Sequence, residues 1–63
     1  MLVERRTYQG FSGKVYIILV DGKVKKGFSE HQSITALSEA NEWIEEYLIH
    51  LATLGHMAQV RWS

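Results

Sequence analysis

Three histidines and a set of glutamates are the side chains of this 63-residue chain best suited to acid–base or metal chemistry. His31, His50 and His56 could in principle converge with Glu46, which precedes His50 by one turn of a helix. A Glu–His pair at i, i+4 is more simply a solvated helix pair contributing a few tenths of a kcal/mol. No His, Cys or Asp cluster has the spacing of a metal site, and no metal or cofactor is expected. Catalysis needs a nucleophile beside a base, or paired carboxylates in a cleft. Cysteine is absent, and Asp21, the one aspartate, precedes Gly22 as a turn residue. Gly10 and Gly13 do not form a phosphate loop, because no Lys-Ser/Thr pair follows at the required spacing and no helix begins there. The chain reads as a protein that is not an enzyme.

Binding chemistry is a better match. Lys14, Tyr16, Ile18, Lys23 and Lys25 combine aromatic and aliphatic groups with flanking ammonium groups. Such a set suits base stacking with phosphate pairing. It suits equally a dimer core with a charged rim.

These residues lie on elements that the pattern defines well. Residues 3–8 alternate weakly and lead into Gly10-Phe11-Ser12-Gly13, which marks a turn. Residues 14–20 are β-branched and aromatic and end at Asp21-Gly22, the strongest short hairpin signal. A two-residue loop there places Leu19 opposite Val24, Ile17 opposite Lys26 and Val15 opposite Phe28 on one side of the sheet. Tyr16, Ile18 and Val20 then share the other side with Lys23 and Lys25, a register that a one-residue bulge would change. From Ile34 the period becomes helical. Ala36, Ala40, Trp43, Ile44, Tyr47, Leu48 and Leu51 form one apolar stripe, with Ser33 or Thr35 as the N-cap and Gly55 as the stop. Residues 57–62 alternate again, with Ala58, Val60 and Trp62 on one side, as in a fourth strand. The expected fold class is α+β, in the order βββαβ: a small antiparallel sheet on one long amphipathic helix, forming a single domain over 1–63.

The second strand is apolar on both sides, from Tyr16 to Val20, which is the pattern of a strand covered on both faces. One helix covers only one face. The expectation is that the helix takes the Val15, Ile17, Leu19 side and that something else covers Tyr16, Ile18 and Val20: a chain terminus, a second copy, or a ligand such as nucleic acid. A chain this short has a thin stability margin, and without disulfides self-association is the leading remedy, so a homo-oligomer is expected.

The net charge is zero but segregated. Residues 1–27 carry six basic and two acidic side chains, and residues 28–63 carry one basic and five acidic ones. Sign asymmetry of this kind fits either a partner-facing surface or a basic sheet and an acidic helix that attract each other. The longest apolar run, residues 15–20, is far short of the ~20 residues that span a bilayer as a helix. Residues 1–6 carry charges with no apolar stretch behind them and do not read as a signal peptide, so the expected location is the cytoplasm, away from membranes.

Three strands followed by a helix, with Gly27-Phe28-Ser29 closing the sheet and Glu39-Ala40-Asn41-Glu42-Trp43 in the helix, resemble the small amino-terminal DNA-binding domains of phage tyrosine recombinases over residues 14–48. The resemblance implies a three-stranded sheet entering the major groove, with Lys14, Lys23, Lys25 and Tyr16 on the groove side. It implies an accessory protein of a phage or mobile element. Two functions therefore stand after the sequence: nucleic-acid binding by a basic sheet face, or a protein-interaction module, homodimeric or inhibitory, acting through the apolar second strand.

Overall fold

Asp21 and Gly22 have φ of 51° and 81°, the two positive values that a type I′ turn requires and that Asp and Gly tolerate best. The computed structural model describes all 63 residues and places this turn between β2 (Gly13–Val20) and β3 (Lys23–Ser29). The same aspartate anchors β1 (Leu2–Gly10). Its Oδ1 accepts the Leu2 N–H at 2.9 Å, and its own N–H donates to the Leu2 carbonyl at 2.8 Å.

β1 pairs antiparallel with β2 across the Phe11-Ser12 turn, with Gly10 opposite Gly13. Gly13 has φ of 132°, and a Cβ there would lie 2.9 Å from the Glu30 Cβ, so both backbone and space call for glycine. Glu30 uses that closeness: its Oε1 accepts the Lys14 N–H at 2.6 Å and its Oε2 accepts the Tyr16 hydroxyl at 3.4 Å.

The helix α1 runs from Ala36 to Thr53. At its start the Glu39 carboxylate accepts the hydroxyls of Ser33 and Thr35 at 2.6 and 3.1 Å. At its end Gly55 takes φ of 79°, with the Gly55 N–H on the Ala52 carbonyl and the His56 N–H on the Leu51 carbonyl. That double bond is the Schellman arrangement, and it turns the chain back toward the sheet. β4 (Gln59–Trp62) then adds beside β1, giving the strand order β3-β2-β1-β4. The expected α+β class and βββαβ order hold, and the fourth strand joins parallel to β1.

The core consists of Val3, Tyr16, Ile18 and Val20 from the sheet against Ala36, Ala40 and Ile44 from α1, with Phe28, Trp43, Tyr47, Leu48, Ala58 and Val60 packed around it. The two alanines keep side-chain bulk off the contact line, so the helix can sit close over β2. Tyr16 and Ile18 are 4% and 0% exposed. This corrects the expectation that Tyr16, Ile18 and Val20 would face away from the helix.

The cause is one residue. β3 bulges so that Ile18 faces Lys26 while Leu19 faces Val24, leaving Lys25 without a partner. The shift moves Phe28 from opposite Val15 to opposite Tyr16, and moves Gly27 opposite Ile17. On β1, Val3 stands opposite Val20, and on β4, Val60 stands beside Val3. Every large apolar side chain of the flanking strands except Leu2, Tyr8 and Val24 thus shares a face with Tyr16, Ile18 and Val20, and the helix covers that face.

Candidate functional site

With the helix on one side, the other side of the sheet carries the residues of opposite parity. The pairings arrange them in rows across the strands. One row reads Val24, Leu19, Glu4, Arg61; the next reads Gly27, Ile17, Arg6; the third reads Ser29, Val15, Tyr8. The half built by β2 and β3 is apolar, and the half built by β1 and β4 is charged.

No element of the chain covers these rows. Val24 is 65% and Tyr8 50% exposed, and Val15 and Ile17 are half-buried. Ile17 leans toward Gly27, where a Cβ would stand in ordinary contact at 3.4 Å from its Cδ1. Leu19, between Val24 and Glu4, is buried within the face. In the β1–β2 turn Phe11 projects fully into solvent.

The charged half has its own geometry. Glu4 is only 7% exposed, and both of its carboxylate oxygens lie 3.5 Å from the Arg6 Nη2. A hydrogen bond with Tyr8 and the nearby Glu4 charge hold the Arg6 guanidinium even further above its ordinary pKa. Arg6 is thus a permanent cation whose partners are Tyr8 and a carboxylate at the limit of ion-pair distance. On the helix side, Arg5 lies under the rim of the core. Its Nη1 donates to the Asn41 Oδ1 at 2.5 Å, and its guanidinium stacks 5.0 Å from the Trp62 ring centre, tying β1, α1 and β4 together.

The five residues singled out in the sequence do not converge. Tyr16 and Ile18 are core, so neither reaches a base or a partner. Burial and the adjacent Glu30 carboxylate push the Tyr16 phenol above its usual pKa, as befits a neutral core hydroxyl. Lys14 is the second residue of β2, whereas Lys23 starts β3 beside the opposite turn, six strand residues or ~20 Å away. Lys25 sits at the bulge. β3 is an edge strand, and Lys23, Lys25 and Lys26 with the bulge are a common means of blocking edge-to-edge pairing with another chain. That role accounts for three of the lysines without a ligand.

His31, His50 and His56 fall in the loop before α1, in its last turns and in the loop after it, and no three His, Asp or Glu side chains lie close enough to hold a metal ion. A shallow groove between the β3 edge and the start of α1, lined by Lys26, Phe28, Gln32 and Glu39 among others, brings together one lysine and one glutamate. The glutamate is engaged by Ser33 and Thr35. No helix is long and apolar enough to cross a membrane.

The sequence reading missed Arg6, Tyr8, Val15, Ile17, Leu19 and Val24 as one surface. The signal was present in Val3-Glu4-Arg5-Arg6, where Glu4 and Arg6 share a parity that a helix-covered face does not favour. Comparison with protein-family models, with curated proteins and with solved structures finds no match for this chain.

Proposed function

We propose that the protein is a non-enzymatic interaction module that docks a protein partner through the open face of its sheet. The observation that carries this reading is the stripe of Val15, Ile17 and Val24 around the buried Leu19, continued by Tyr8. It is a contiguous apolar surface on a strand whose other side already fills the core. Contiguous exposed apolar patches rimmed by charge are the usual mark of a protein contact. A nucleic-acid site would instead need cations converging on an aromatic platform. Here Tyr16 is internal and the lysines are dispersed along an edge and two turns.

A photoreactive amino acid at Val24 tests the reading in cells, with the same group at Glu42 on the exposed side of α1 as the control. Protein adducts from position 24 and few from position 42 are expected. Nucleic-acid adducts, or tight binding of mixed-sequence DNA or RNA at about 50 mM salt, where electrostatic binding is strong, would replace this reading with the basic-sheet one.

A further inference from the structure

Resting on that reading, we infer that the occupant of the open face is a second copy of this chain, packed face to face about a two-fold axis. The axis runs across the strands, between the row of Val24, Leu19 and Glu4 and the row of Gly27, Ile17 and Arg6.

Charge supports this placement first. A two-fold axis exchanges the two rows, so Glu4 meets the partner's Arg6 and Arg6 meets the partner's Glu4. Within one chain the pair is stretched to 3.5 Å, with Glu4 nearly buried and the Arg6 side chain 45% exposed at the surface of the face. The chain has no net charge, and two copies approach without overall repulsion.

Shape agrees with charge. The same exchange lays Leu19 against the partner's Ile17 and lays Val24 over the partner's Gly27, the one position in its row without a side chain. Strand β2 then lies over its own copy in an aligned sandwich, so its two apolar sides both become interior.

Area comes close to what a specific interface needs. The strand residues of the sheet, at ~4.8 Å spacing and ~3.3 Å rise, give a footprint of roughly 440 Å² per copy, or about 900 Å² for both, just under the ~1,000 Å² of a specific interface. Edge pairing, the competing route to a dimer, is opposed at β3 by its lysines and bulge.

Sedimentation velocity from about 1 to 100 μM, spanning typical interface dissociation constants, should show the mass doubling with concentration. Val24→Asp changes an exposed side chain, so it should leave the melt of the single chain unchanged and weaken the dimer at least tenfold. The charge test is sharper. Glu4→Arg alone and Arg6→Glu alone each place like charges across the interface and should be monomeric. An equimolar mixture restores Glu–Arg pairs between copies though not within them, and native mass spectrometry should find the mixed dimer. A monomeric wild-type chain at 100 μM overturns the inference. So does a dimer that survives Val24→Asp, or a mixture that stays monomeric while circular dichroism shows both variants folded. A wild-type monomer whose position-24 probe captures a different protein would remove the second copy and leave the interaction module standing.

Discussion

Neighbouring isoleucines on β2 provide the sharpest measure of which side the helix covers. Ile18→Val and Ile17→Val remove the same methylene from adjacent residues of one strand. Ile18 is fully buried against Ala40 and Ile44, so its loss combines a transfer term of ~0.8 kcal/mol with a small cavity, for a total of about 1 kcal/mol. Ile17 is half-buried on the open face, where the same change should cost at most a few tenths of a kcal/mol. A 63-residue domain with total stability of roughly 3–9 kcal/mol tolerates either loss, so both variants fold. At 4–8 °C per kcal/mol for a domain this small, Tm should fall by about 4–8 °C for Ile18→Val and by less than about 2 °C for Ile17→Val. Thermal melts followed by circular dichroism at low micromolar concentration, where single chains dominate, read the difference directly. An Ile17→Val cost equal to or above that of Ile18→Val under these conditions would refute the assignment of faces. Raising the concentration adds information, because a face-to-face dimer makes the Ile17→Val cost grow while the Ile18→Val cost stays constant.

Tyr16 makes stability depend on alkaline pH. Its folded pKa is raised above the unfolded value near 10, so its contribution is complete below that value and is lost as pH rises through the folded one. Tyr16→Phe should therefore show a smaller fall in Tm between about pH 9 and 11 than the wild type, and identical slopes would exclude a buried phenol. Gly13→Ala should cost on the order of 1–3 kcal/mol in urea denaturation, from its φ of 132° and the Glu30 side chain 2.9 Å away. Gly27→Ala, in open extended backbone, should stay within about 0.5 kcal/mol of neutral, and equal costs at the two glycines would contradict the turn geometry.

Local chemistry made most of this fold legible. Asp21-Gly22 specified the hairpin, the Ala36 to Leu51 period specified the helix, and Gly55 specified its end, because each depends on backbone preferences acting within a few residues. The parallel pairing of β4 with β1 was not legible, since nothing local states which edge a distant strand will join. The candidate surface was half legible. A strand apolar on both sides announced an uncovered face, but the choice of face turned on Lys25, a bulge that costs a single residue of register. Hydrophobicity of β2 alone is indifferent to that choice. Phe28, Val3 and Val60 decide it together, and only the three-strand pairing brings them to one side.

The crossover from α1 to β4 sets the order in which the molecule can be made. Thr7 bonds the Ser63 carbonyl and Ser63 bonds the Arg5 carbonyl across separations of 56 and 58 positions, whereas the β1–β2 and β2–β3 hairpins close over turns of a few residues. Contacts so distant along the chain carry the larger loop-closure entropy and form late. Until they form, β1 is a sheet edge with bare N–H and C=O groups, guarded by the charges of Arg5 and Arg6 but, unlike β3, by no bulge. Refolding yield should thus be set by a race between intramolecular docking of β4 and bimolecular encounter at β1, and dilution alone should favour the native outcome.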